Sequence, residues 1–100
     1  MNTISTTELA ALDGVPVIDV RERWEYEGGH APAAVNIPLS EFVDRVAEVP
    51  RDTTVYVICE SGGRSGQVTE WLDGQGYDVV NVLGGTSAWR SSGLPVAMGA

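Results

Sequence analysis

The sequence predicts an α/β fold, one domain with a central parallel sheet of four to five strands and helices on both faces. Three observations carry that reading. Short β-branched and apolar runs at 15–20 (VPVIDV), 54–58 (TVYVI) and 78–83 (DVVNVL) alternate along the chain with segments of helical spacing. These runs are apolar almost throughout rather than at every second residue, as expected of strands buried on both faces. Strands separated by helices need crossover connections, which make neighbouring strands parallel and lay helices over the sheet. At 100 residues, with 43% hydrophobic and 20% charged side chains, the chain has the size and composition of one globular domain, 1–100.

In Ser5-Thr6-Thr7-Glu8 the serine hydroxyl can accept from the third amide while Glu8 reaches back, a capping box that opens the first helix. Leu9, Ala10 and Leu12 continue it and Gly14 stops it. The strand 15–20 follows, then a polar turn of helix over 24–29 ending at Gly28-Gly29, and a brief strand 35–37 before Pro38. Ser40 is placed to cap a helix over 41–48, with Phe42, Val43 and Val46 at one-turn spacing and Pro50 as the breaker. The run 54–58 is the strongest strand signal and ends at Cys59. A helix over about 65–74 puts Val68, Trp71 and Leu72 on one face, and Gly76 ends it. Strand 78–83, Gly84-Gly85, a short helix over 87–90 and a tail through Gly93, Pro95 and Val96 complete the chain. Trp24, Trp71 and Trp89 read as core or rim aromatics, and Glu22, Glu25 and Glu27 as a solvated acidic face, with docking of a basic partner as the alternative.

Six basic residues, all arginine, stand against 14 acidic ones, a formal charge of −8. That balance leaves no surplus for a basic face and argues against nucleic acid or an anionic membrane as partner. No apolar run reaches the roughly 18–20 residues that span a bilayer, and residues 1–5 lack the basic patch and apolar core of a signal peptide. The expected location is the cytosol. Cys59 is the one cysteine, so neither an internal disulfide nor a multi-cysteine zinc site is available.

Cys59 falls at the carboxyl end of a strand, where ligands bind in parallel sheets. In Cys59-Glu60-Ser61-Gly62-Gly63-Arg64-Ser65 a strand feeds a glycine-containing loop that runs straight into a helix. Successive backbone N–H groups there can form an anion nest, with Gly62 and Gly63 supplying positive φ. A thiol at its lip is predicted to ionise easily, because the amides, the helix end and Arg64 all favour negative charge. The bland alternative is a small buried hydrophobe. Two reactions use such a thiolate, phosphoryl transfer and sulfane-sulfur transfer. The cysteine phosphatase pattern has five residues between Cys and Arg and commonly a His before the Cys; here four residues separate Cys59 from Arg64, and Ile58 precedes it. The shorter loop suits one extra sulfur atom better than a phosphate, which leaves the phosphatase as the alternative reading.

Four blocks resemble the rhodanese-homology domains, specifically the stand-alone single-domain sulfurtransferases: 17–22 (VIDVRE), 27–38 (EGGHAPAAVNIP), 59–65 (CESGGRS) and 83–86 (LGGT) with Trp89, Gly93, Pro95 and Val96. The resemblance covers nearly the whole chain. It implies a parallel α/β sheet with the active loop between strand and helix, and a persulfide intermediate on Cys59. It further implies a small-molecule sulfur donor such as thiosulfate, a thiol or cyanide acceptor, two half-reactions, and no metal or organic cofactor, with a persulfide carrier or binding module serving a dedicated protein partner as the alternative to the enzyme. The amides of Glu60 through Ser65 would hold the persulfide anion, and Arg64 would fix the loop and contribute charge. Two positions depart from the family. Ala33 stands where a glycine is frequent, so that turn should not need positive φ. Glu60 stands where thiosulfate-preferring members often carry a basic residue; its charge should raise the thiolate pKa and repel a dianion unless it points into solvent, which makes thiosulfate a poor expected substrate.

Asp19 and Arg21, at the end of a buried strand, read as a structural ion pair or a brace between loops, with substrate positioning as the alternative. His30, the one histidine, reads as a loop brace, with a general base for Cys59 as the alternative.

Overall fold

The computed structural model describes residues 2–100; Met1 lies outside them. Along the chain run β1 (Asn2–Ile4), α1 (Thr6–Ala10), β2 (Val17–Asp19), α2 (Arg23–Glu27), β3 (Ala34–Asn36), β4 (Val55–Ile58), α3 (Gly63–Gly74), β5 (Val79–Val82) and α4 (Gly85–Ser91). The strands form one sheet in the order β1-β5-β4-β2-β3, and each of its four ladders is parallel. The register sets Ile18 beside Val57 and Val57 beside Asn81, which brings the ends of β2, β4 and β5 to one edge.

Alternation along the strands divides the core in two. Ile18, Val55, Val57 and Val79 face Phe42 and the α3 residues Val68 and Leu72. Val17, Ile58 and Val82 face Leu9 of α1, Tyr26 of α2 and Trp89 of α4. Helices therefore cover both faces, as predicted. Val55, Val57, Ile58 and Val82 are fully buried, and burial of each such side chain stabilises the fold by about 1.5–3 kcal/mol.

The capping box at Ser5 and Glu8 is present, with the Glu8 amide 3.1 Å from Ser5 Oγ. Residues 2–4, to which the sequence reading assigns no element, form an edge strand pairing with Val80–Val82. Three residues carry too little pattern to show this. The helix expected over 41–48 is replaced by two 3₁₀ turns, Leu39–Glu41 and Val46–Glu48. The reason lies in the intended cap, because the Ser40 hydroxyl donates to Glu22 at 2.8 Å and the Leu39 amide is drawn onto the Val20 carbonyl. Trp24 is 75% exposed and Trp71 40%, leaving Trp89 as the one core tryptophan. Among the described residues no helix is long and apolar enough to cross a membrane.

Candidate active site

Strand β4 delivers Cys59 into a turn closed by Gly62, whose φ of 110° lies in the left-handed region and starts α3. Gly63, expected to share that conformation, is instead the first residue of the helix with ordinary φ. The turn folds the Gly62 amide back onto Cys59, donating to Sγ at 3.1 Å, and sets the Ser65 hydroxyl 3.2 Å from the same sulfur. Cys59 is 1% exposed. Burial is the largest single influence on its thiol and opposes ionisation. Hydrogen bonds from the Ser65 hydroxyl and from the amides of Ser65, Gly62 and Ser61 together outweigh it, so the thiol sits below its ordinary pKa.

The loop is held from behind by α4. The Thr86 amide and hydroxyl both donate to the Cys59 carbonyl, at 2.8 and 3.0 Å, and the Ser87 amide donates to Glu60 at 2.9 Å. The contact requires glycine at 85, since a Cβ there would lie 2.5 Å from the Cys59 carbonyl oxygen. From β5, Asn81 donates to the Gly62 carbonyl and accepts from Ser65 at 2.6 Å.

Arg64 makes a two-pronged ion pair with Glu25 of α2, at 2.7 and 2.9 Å. The guanidinium hydrogen bonds hold the Glu25 carboxyl down at about 2 and raise the Arg64 pKa further above its usual value. Glu25 is thus a partner of the loop and not part of a solvated acidic face. Glu60 turns its carboxylate to Arg21 and Arg90, at 3.2 Å each, so its charge is compensated at the rim.

Asp19 and Arg21 form a buried pair at 2.9 Å. The remaining N–H groups of Arg21 reach the carbonyls of Glu25 and Gly29 and the Glu60 carboxylate, so all five guanidinium donors are occupied within the protein. Arg21 ties the end of β2 to α2 and to the Cys59 loop. The His30 ring stacks on Tyr26 with centroids 3.6 Å apart, its Nδ1 donates to the Tyr26 carbonyl at 2.7 Å, and its backbone pairs with Ala97. No non-glycine residue among those described has positive φ, Ala33 included.

The structure thus gathers Cys59, Ser61, Gly62 and Ser65 around one sulfur and places Glu60, Arg64, Asp19 and Arg21 in ion pairs beside it. Sequence reasoning gave no site role to Asn81, Thr86 or Arg90 and read Glu25 as a solvated charge. Gly84-Gly85 was the one visible sign of the α4 contact; the others are ordinary polar residues whose partners lie far away in the chain.

Comparison with known proteins agrees with this architecture. The model of the Rhodanese-like domain matches residues 5–92. A sulfurtransferase of Allochromatium vinosum is 38% identical over 89 residues, covering 88% of this chain and 83% of that protein. The thiosulfate sulfurtransferase PspE of Escherichia coli is 44% identical over 85 residues, covering 77% and 82%. The crystal structure of a rhodanese-related protein from Thermoplasma volcanium superposes with a TM-score of 0.92 at 33% identity, over 98% of this chain and 99% of that one. Family match, parallel sheet order and the loop after the central strand converge, and the chain belongs to the rhodanese-like domain family.

Proposed function

We propose that this protein is a rhodanese-type sulfurtransferase that carries sulfane sulfur as a persulfide on Cys59. The observation that carries the reading is the cradle itself, a buried sulfur at the end of β4 that accepts from the Gly62 amide at 3.1 Å with the Ser65 hydroxyl beside it. The two sulfurtransferase relatives support it. In the first half-reaction the Cys59 thiolate attacks the outer sulfur of the donor; a sulfur–sulfur bond forms on Cys59 as the donor's own breaks, and sulfite leaves if the donor is thiosulfate. In the second, an acceptor thiolate or cyanide attacks the outer sulfur and the Cys59 thiolate departs. The loop amides that stabilise the thiolate are positioned to hold the persulfide anion.

Thiosulfate and cyanide are the simplest donor and acceptor, and a protein thiol acceptor would use the same chemistry. The lone thiol suits a reducing cytosol. Arg64, Arg21 and Arg90 all face carboxylates, so the attraction for an anionic donor rests mainly on backbone amides within a chain of −8 net charge.

Intact-mass measurement after incubation with thiosulfate or a small persulfide tests the proposal. The expected result is a gain of one sulfur atom, absent from Cys59→Ser, followed by its loss to an added thiol. Failure of every sulfane donor to load Cys59 would sink it, and turnover of a phosphate monoester through Cys59 would install the phosphatase in its place.

A further inference from the structure

Asn81, on β5, stands behind the Cys59 sulfur with a single hydroxyl between them. Its orientation follows from its partners. The Gly62 carbonyl only accepts, so the Asn81 group 3.3 Å away is the amide nitrogen, and the amide oxygen faces Ser65. That oxygen also only accepts, so at 2.6 Å the Ser65 hydroxyl donates to it. The same hydroxyl oxygen lies 3.2 Å from Cys59 Sγ. One proton thus faces two acceptors, and Ser65 and Asn81 are 0% and 5% exposed, which keeps bulk water from satisfying either.

We propose that Asn81 is a positioning residue that draws the Ser65 proton away from the Cys59 sulfur and so sets the balance between thiol and thiolate. The inference rests on Cys59 as the reacting group. While the Ser65 proton lies on Asn81, the Ser65 oxygen turns lone pairs to the sulfur and accepts from a neutral Cys59 S–H. When Cys59 ionises, its proton leaves to solvent and the Ser65 hydroxyl rotates to donate to Sγ. The Asn81 oxygen then loses its donor in a buried place, an unfavourable exchange. Asn81 therefore opposes ionisation, while the Gly62 amide favours it with the hydroxyl in either position. Once a sulfane sulfur is bonded to Cys59, the charge moves to the outer atom and the Ser65 proton returns to Asn81. The donor is strongest when Sγ is an anion and withdraws when Sγ is not.

The charged groups around Cys59 are Arg64 and its partner Glu25 of α2, Asp19 and Arg21 at the end of β2, the neighbouring Glu60, and Arg90 of α4 bound to Glu60. Among the described residues the Asn81 side chain bonds to Ser65 and Gly62 and to no charged group, so its replacement leaves that field in place.

The pH dependence of Cys59 alkylation by iodoacetamide reads the thiolate without any sulfur donor. In Asn81→Leu the thiol pKa is expected to fall by about half a unit to one unit, or about three- to tenfold more thiolate at a pH below it. In Ser65→Ala it should rise, and adding Asn81→Leu to Ser65→Ala should change nothing, because no proton remains to redirect. A loop merely loosened by losing the Gly62 contact would raise the pKa in both backgrounds. An unchanged or raised pKa in Asn81→Leu overturns the proposal, as does an equal fall with Ser65→Ala already present. Asn81→Ala poses the same question with the same expected sign if leucine is not accommodated. Shifts as expected in a protein that no donor can load would refute sulfur transfer and leave this inference standing; loading with no shift would do the reverse.

Discussion

The turn after β4 and the turn after β5 are built on one plan. Each leaves a buried parallel strand, passes a glycine of positive φ, 110° at Gly62 and 75° at Gly84, and enters a helix. They differ in what fills the space beside the backbone. A Cβ on Gly62 would find its nearest neighbour at 3.6 Å and one on Gly63 nothing within 4 Å, whereas a Cβ on Gly84 would strike Ala88 at 2.6 Å and one on Gly85 the Cys59 carbonyl at 2.5 Å. The first turn keeps room beside its backbone and turns its amides onto a sulfur. The second uses its amides on the carbonyls of Cys59 and Glu60 and is a strut for the first. Paired glycines at a helix start therefore mark either a cradle or a brace, and the distinction rests on occupancy.

Substitution should separate the two most sharply at the glycines. Gly85→Ala combines a clash with rigid backbone and a φ of 58°, and is expected to destabilise the fold by about 3 kcal/mol in chemical denaturation. Gly63→Ala, in open space with helical φ, should change stability by less than about 1 kcal/mol. Equal losses at both positions would erase the comparison. Thr86→Val removes a buried donor to the Cys59 carbonyl and should lower stability by about 1–2 kcal/mol, without touching the sulfur directly.

The Arg64–Glu25 pair bears on the cradle alone. The Glu25 pKa is depressed in the folded state, so its contribution is present above the ordinary carboxylate value of about 4.5 and is lost as pH falls towards about 2. Glu25→Gln should cost about 1 kcal/mol at neutral pH, a discount for the partly exposed guanidinium included, and should flatten the acid limb of the stability curve in that window. A limb as steep as the wild type's would show that Glu25 does not govern it. The smallest effect belongs to the rim. Glu60→Gln removes a rim carboxylate, frees Arg90 while Arg21 stays paired with Asp19, and should raise kcat/KM for thiosulfate by about threefold at low salt, a gain that salt should erode. No gain at low salt would show that Glu60 does not limit the anionic donor.

The legible parts of the molecule are those whose cause is local. The capping box at Ser5, the buried run 54–58 and the passage from that strand through a glycine turn into a helix rest on neighbours in sequence, and each is present in the structure. The segment 41–48 was misread because Ser40, a good cap by type, has a competing acceptor in Glu22, 18 residues earlier. Glu25 was read as a solvated charge because its partner, Arg64, lies 39 positions further on.

By itself the sequence determined that the chain forms a parallel α/β sheet and that Cys59 ends a central strand inside a glycine turn, since propensity, apolar runs and turn chemistry act over a few residues. Only the tertiary structure decided how that sulfur is governed. Asn81 on β5 meets Ser65, Thr86 on α4 meets the Cys59 carbonyl and Glu25 on α2 meets Arg64, contacts around the sulfur made by sheet register and helix packing. A hydrogen bond depends on distances of about 3 Å in space, to which separation along the chain is indifferent.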